Sequence, residues 1–292
     1  EALKRSGIPA KEVDQVYLGC VIQAGLGQNV ARQAALKAGL PVEVPAVTTN
    51  VVCGSGLNCV NQAAEMILAG DADVVIAGGM ENMSMSPYAV PNGRFGYRMG
   101  NGTLVDTMVN DALTDAFHQY HMGITAENVA GKWGLTRREL DEFAAWSQSK
   151  AANAQEEGRF EREIVPVTVK KKKETILVSR DEGIRPGTTA DSIAKLRPAF
   201  KEDGVVTAAN SSGINDGAAA LIVMSREKAH ELGVRPMAVW KGGSLAGVDP
   251  SIMGIGPVAA TKKIMEKILS IRKKTLPLQR NCERRFADRC AT

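Results

Sequence analysis

Cys53 stands between an apolar run, Val44 to Val52, and a Gly54-Ser55-Gly56 turn, beyond which Leu57, Val60, Ala63, Ala64, Ile67 and Leu68 recur at helical spacing until Gly70. A cysteine so placed sits at the mouth of a helix, where the first-turn amides of Gly54 to Gly56 and the helix dipole favour an anion. The chemistry this permits is nucleophilic: a thiolate attacks a carbonyl carbon and holds the acyl group as a thioester. A helix-terminus effect of about 0.3–2 kcal/mol is too small to ionise an ordinary thiol at neutral pH, so fast chemistry also needs a neighbouring base. The glycines let a bulky substrate approach the sulfur and free the Cys53 amide to face a developing oxyanion. The same pattern suits a small buried hydrophobe, and Cys59, one face over on the same helix, is read that way.

The elements around this turn follow from periodicity and punctuation. Glu1 to Arg5 reads as the end of a helix stopped by Gly7 and Pro9, Val13 to Val21 as a strand, Asn29 to Ala38 as a short helix, and Val44 to Val52 as a second strand. Asp73 to Gly79 is a buried strand of parallel type. Strand, helix and strand make a βαβ unit, and such units build parallel sheets covered by helices. From Ser84 the chain becomes rich in Met, Gly, Pro and Asn and leaves the layered core. Helices are expected around Val105 to Phe117, Thr125 to Lys132 and Arg137 to Glu156, then a lysine-rich strand or hairpin near Ile164 to Val178. Val205 to Ala209 and Ala218 to Met224 read as strands returning to the core, and Met237 to Leu245 as a strand before a helix, Val258 to Ile268. This divides the chain into a core at 1–84, an insertion at 85–204, a return at 205–232 and a last unit at 233–292, whose basic tail starts near 268.

Composition sets the outer bounds. A chain of 292 residues with 44% apolar and 23% charged residues suits about two soluble domains. Aromatics supply 4% while glycine numbers 29, which points to a core of small aliphatic side chains in layered α/β form and away from a β-sandwich. The net charge of +4 is concentrated between Ile268 and Thr292, without interleaved aromatics, so it is not a nucleic-acid footprint. Five scattered cysteines fit free thiols in a reducing compartment, which we read as the cytoplasm, and show no metal spacing. No apolar stretch reaches the length of a membrane span, and no signal-peptide pattern opens the chain.

Thr49-Asn50-Val51-Val52-Cys53-Gly54-Ser55-Gly56-Leu57, with Gly78-Gly79-Met80-Glu81-Asn82-Met83-Ser84, resembles the thiolase family, and within it the short-chain acetyl-CoA acetyltransferases. The likeness continues through Gln23 to Asn29, His121 to Asn128, Arg185 to Thr189, Leu196 to Phe200 and Thr207 to Gly217, and ends near Lys267. The resemblance implies a layered α-β-α-β-α fold with mixed sheets, its second half incomplete here, and homo-oligomers, dimer or tetramer. It implies that Cys53 takes an acetyl group from acetyl-CoA, for condensation to acetoacetyl-CoA or its thiolytic reversal. It also implies that His121 and Met122 line the pantetheine tunnel and acyl pocket. Arg185, Ser192, Phe200, Ala208 and Ser212 match positions that hold coenzyme A, with Leu113 beside them. Coenzyme A thioesters are then substrates, and no cofactor is bound permanently. A bland use exists for each residue, such as a loop histidine, a capping serine or a core phenylalanine. The lysine run at 170–173 reads as a solvated face, and Asn215-Asp216-Gly217 as a tight turn.

Three groups of the family's second half have no counterpart here: an Asn-Glu-Ala-Phe motif, a Gly-His-Pro motif, and a second cysteine before a glycine-rich turn. Cys282 and Cys290 lack those glycines and are not assigned as bases. The expectation is a thiolase chain cut at both ends and impaired in turnover. Three alternatives stay open. A dinucleotide site at Gly54-x-Gly56 fits poorly, since Cys59 takes the third glycine's place and Asp73 precedes the next strand. A non-catalytic coenzyme A-binding subunit is permitted by the missing bases. A ketoacyl synthase shares the nucleophilic cysteine, but His121-Met122-Gly123 suits coenzyme A-linked thiolases better.

Overall fold

A computed structural model describes residues 1–171 and 174–275. Lys172, Lys173, Cys282, Cys290 and most of the basic tail lie outside the described residues. In chain order the elements are α1 (Ala2–Ser6), β1 (Gln15–Gly19), α2 (Val30–Lys37), β2 (Ala46–Thr49), α3 (Ser55–Ala69), β3 (Val74–Asn82), β4 (Tyr88–Ala89), β5 (Val105–Asp106), α4 (Met122–Trp133), α5 (Arg137–Glu156), β6 (Val167–Lys171), β7 (Glu174–Val178), α6 (Ala190–Ile193), β8 (Asp216–Met224), α7 (Arg226–Glu231) and α8 (Gly256–Thr275).

The core sheet runs β2-β1-β3-β8, with β1 parallel to β2 and β3, and β8 antiparallel to β3 from Val74↔Met224 to Asn82↔Asp216. Successive strand residues face opposite sides, so Val74 and Ile76 join Val16, Leu18, Ala31 and Ala35 in the layer under α2. Val75 and Ala77 face the other way and pack with Cys59 and Ala63 of α3. Helices on both faces explain why β3 reads as an unbroken apolar run. The fold is mixed α/β.

Glycine makes the closest layer contact. A Cβ on Gly19 would lie 2.7 Å from the backbone of Ser55 and Gly56, and one on Gly79 would lie 3.2 Å from the Gly56 Cα. The first turn of α3 therefore rests directly on the ends of β1 and β3. At the far end Gly70 adopts φ 83°, and its amide caps the helix.

Three expected elements differ. Val105 to Phe117 is no α-helix: β5 pairs with β4, and a single π-turn follows at Val109–Leu113. The Asp106 carboxylate accepts the Met108 and Val109 amides, capping bonds that start only this short helical turn, and the backbone is extended again by Thr114. Val205 to Ala209 is not a strand, because the Glu127 carboxylate takes the Val205 and Val206 amides and Asn210 Oδ1 takes that of Thr207. Met237 to Leu245 is extended without a ladder partner among the described residues. This stretch lies across α3, where Trp240 Nε1 donates to Asn61 Oδ1 at 3.2 Å. Helix α5 matches its expected bounds, and β6 and β7 form the expected hairpin.

Candidate active site

The parallel strands β1, β2 and β3 all end at one edge of the sheet, where loops rather than ladder residues follow them. Ligands of open α/β sheets bind at such an edge. The loop after β2 carries Cys53, which is exposed and free, whereas Cys20 and Cys59 are buried and free. Burial pushes the Cys59 thiol up, and burial followed by the nearby Glu81 carboxylate pushes Cys20 up to about 11. Of the three described thiols, only Cys53 meets solvent.

The turn that presents Cys53 is strained. Val52 has φ 53°, a left-handed conformation that a β-branched residue rarely adopts. Three hydrogen bonds hold it there: the Val52 amide donates to Asn50 Oδ1 at 2.9 Å, and Ser55 Oγ donates to the Val52 carbonyl at 2.5 Å while accepting the Val51 amide at 2.9 Å. Ser55 is 3% exposed, so its two bonds are shielded from water, whereas the Asn50 bond lies at the surface. The amides of Gly54 and Ser55 already donate to the Val51 and Val52 carbonyls, which removes two of the three first-turn donors expected to serve an anion. Among the described residues no side chain hydrogen-bonds to the Cys53 sulfur.

The loop after β3 is fixed from the opposite strand. Asp216 Oδ1 accepts the Ser84 amide at 3.0 Å, and Ser84 Oγ donates to Asp216 Oδ2. The Ser84 hydroxyl and amide hold the Asp216 carboxyl below its ordinary range. Asp216 thus does more than make the turn read from Asn215-Asp216-Gly217. The loop after β1 is anchored by Glu81, whose carboxylate accepts the Val21 and Ile22 amides.

The other predicted contacts lie in the insertion. His121 caps α4 by accepting the Gly123 amide on Nδ1 at 3.0 Å, which leaves the neutral ring's proton on Nε2. Its ring stacks on Phe200, with centroids 4.7 Å apart and planes 18° from parallel. Gly123 allows this, since a Cβ there would lie 2.2 Å from the Phe200 ring. Met122 opens α4, and Leu113 closes the π-turn. Ser192 is in the capping box of α6, where its Oγ accepts the Thr189 amide, and the Arg185 amide donates to Gln148 Oε1. Ala208 and Ser212 are exposed on the segment that follows Phe200. His121 and Phe200 therefore meet directly, whereas no hydrogen bond or ring contact among the described residues joins Arg185 or Ser192 to them or to each other.

Two surface hollows, of about 370 and 340 Å3, include neither Cys53 nor any predicted coenzyme A contact; the second borders the π-turn next to Leu113. Among the described residues no cluster of His, Cys, Asp and Glu is placed to hold a metal, and no helix is long and apolar enough to cross a membrane. The Asn50 and Ser55 clasp and the Asp216–Ser84 pair were not singled out by sequence reasoning. Their only local signal is the preference of Asn, Ser and Asp for side-chain bonds to nearby amides.

Comparison with known proteins places this geometry in context. Residues 1–227 match the thiolase N-terminal domain. The acetyl-CoA acetyltransferase of Chromobacterium violaceum is 59% identical over 266 residues, covering 91% of this chain and 68% of that protein. A probable acetyl-CoA acyltransferase of Staphylococcus aureus is 54% identical over the same shares. The crystal structure of the Bacillus anthracis acetyl-CoA acetyltransferase superposes with a TM-score of 0.88 at 46% identity, over 91% of this chain and 68% of that one.

Proposed function

This chain belongs to the thiolase family, and on that premise we propose that Cys53 accepts an acetyl group from acetyl-CoA in an acetyl-CoA C-acetyltransferase reaction. The observation that carries the reading is the exposure of Cys53 on a strained, internally clasped turn at the strand ends. The sulfur attacks the thioester carbonyl carbon, the carbon–sulfur bond to coenzyme A breaks, and the coenzyme A thiolate leaves to take up the proton that Cys53 loses. With the Gly54 and Ser55 amides engaged in the turn, the Cys53 amide is the donor assigned to the oxyanion. A Claisen condensation or its thiolytic reversal then completes the cycle in the family's chemistry.

His121 and Met122 are assigned to the pantetheine and acyl end of coenzyme A, with Phe200 of the coenzyme A-holding set stacked on His121, and Arg185, Ser192, Ala208 and Ser212, with Leu113 beside them, to the rest of it. Because no described base contacts Cys53, acetylation is expected to be slow and net turnover impaired. Cytoplasmic homo-oligomers, with coenzyme A thioesters as transient ligands and no resident cofactor, complete the proposal. Exposed Leu57 and Leu68 on α3 favour association.

The test is intact mass after incubation with acetyl-CoA, beside Cys53→Ser, together with a thiolysis assay on acetoacetyl-CoA. A single acetyl adduct lost in the variant supports the reading. No adduct, or one that survives the substitution, overturns it. Protection by coenzyme A against thermal unfolding without any adduct would favour a non-catalytic binding subunit.

A further inference from the structure

The segment from Ser192 to Ser212 carries four of the proposed coenzyme A contacts, yet among them only Ile193, Val206 and Thr207 are deeply buried neighbours that could set its path. Two carboxylates on other elements hold it: Glu127 of α4, which takes the Val205 and Val206 amides, and one on α5 that reaches both ends. Asp141 of α5 is 1% exposed, a charge that an apolar interior tolerates only when it is fully partnered. Its Oδ2 accepts from Arg137 Nε at 2.7 Å, one helical turn back, and its Oδ1 accepts from Asn210 Nδ2 at 3.0 Å.

Each partner passes the restraint on. Arg137 directs its two remaining guanidinium nitrogens at the carbonyls of Ile193, Ala194 and Leu196, at 2.9, 3.2 and 3.0 Å, immediately after Ser192. Asn210, two residues before Ser212, accepts the Thr207 amide at 2.7 Å and donates to the Val205 carbonyl at 3.0 Å, which fixes the backbone leading into Ala208. Between the two ends, Ala199 donates to the Val206 carbonyl at 2.9 Å, which closes the loop bearing Phe200.

We propose that Asp141 is a positioning residue for coenzyme A, tying the Ser192 and Ser212 ends of this segment to one point on α5 through Arg137 and Asn210. The inference rests on the reading that this segment binds coenzyme A. Asparagine cannot replace Asp141 without loss: its oxygen can serve Arg137, but its NH2 then faces the Asn210 NH2. Asn210 cannot turn over to help, because its oxygen already holds the Thr207 amide.

The test compares the full chain with Asp141→Asn and Arg137→Lys for coenzyme A dissociation constant, rate of Cys53 alkylation by iodoacetamide, and thermal midpoint. Asp141→Asn is expected to weaken coenzyme A binding about tenfold or more, and Arg137→Lys by a smaller factor, while Cys53 alkylation is unchanged. Should Asp141→Asn fail to fold, Arg137→Lys, which keeps the ion pair but loses the guanidinium fork, decides alone. A folded variant with lowered thermal midpoint and wild-type affinity shows a merely structural role and overturns the inference. Absence of coenzyme A binding in the unmodified chain overturns the proposed site itself, and this inference with it.

Discussion

Gly19 and Gly56 face each other across the seam between β1 and α3, and they should respond to alanine in opposite directions. A Cβ on Gly19 would sit 2.7 Å from the Gly56 nitrogen, the Ser55 carbonyl carbon and the Ser55 Cβ, two of them backbone atoms that no rotamer change can move. Restoring ordinary contact means separating β1 from the first turn of α3 by roughly 0.5–1 Å, an overpacking that costs about 1–3 kcal/mol. A Cβ on Gly56 meets its nearest neighbour, the Gly79 Cα, at 3.6 Å, which is ordinary contact. Gly56→Ala then gains up to about 1 kcal/mol of helix propensity. Urea titrations should separate the two variants by about 1–4 kcal/mol, with Gly19→Ala the less stable. Because the displaced turn carries Cys53, Gly19→Ala should also slow acetylation from acetyl-CoA by up to about a hundredfold, the scale of a 1 Å misplacement. Equal stability of the two variants, or acetylation of Gly19→Ala at the unmodified rate, would refute the close-contact reasoning.

Relief of the left-handed strain at Val52, about 1–3 kcal/mol, exceeds the entropic cost of glycine, so Val52→Gly should stabilise the fold by about 1 kcal/mol; loss of stability in denaturant would contradict this. Alkylation with iodoacetamide at pH 8, mapped by peptide mass, should, among the three described thiols, modify Cys53 first and reach Cys20, pushed up to about 11, and Cys59 only after unfolding. The Asp216 carboxyl is lowered in the folded chain, so its contribution is complete above the ordinary carboxylate range near ~4 and is lost as pH falls through the folded value. The stability gap between the unmodified chain and Asp216→Asn should accordingly close as pH is lowered from about 5 through and below the ordinary carboxylate range, and a gap that widens with acid would show the sign to be wrong.

The legible parts of the fold are those whose cause is local. Helix α5 announces itself through the Thr136 and Glu139 capping box, with reciprocal bonds of the side chains to the backbone, and a long run of good helix formers. The apolar run of β3 and the Gly70 stop of α3 are equally local. Val205 to Ala209 has the composition of a strand, but its amides go to Glu127, nearly eighty residues earlier, and no short-range pattern encodes that choice. The Cys53 turn was visible as a nucleophile position from glycines and flanking elements. Its strain was not, because valine gives no hint of a left-handed backbone until Asn50 and Ser55 are seen to hold it. Asp141 was hidden for the same reason: as one acid in Arg137-Arg138-Glu139-Leu140-Asp141 it looks like any solvated helix charge.

Strand β8 has a ladder partner on one side, β3, and none on the other among the described residues, and its residues from Asp216 to Leu221 are exposed. After Asp216 the strand reads Gly-Ala-Ala-Ala-Leu-Ile-Val-Met, with no charge, proline or bulge to discourage a newcomer. A bare hydrogen-bonding rim of that kind recruits extended peptide from whatever source is nearest, so protein concentration becomes a chemical variable in any measurement made on this chain. Dilution series, rather than single-concentration readings, will separate what one molecule does from what two do when their rims zip together.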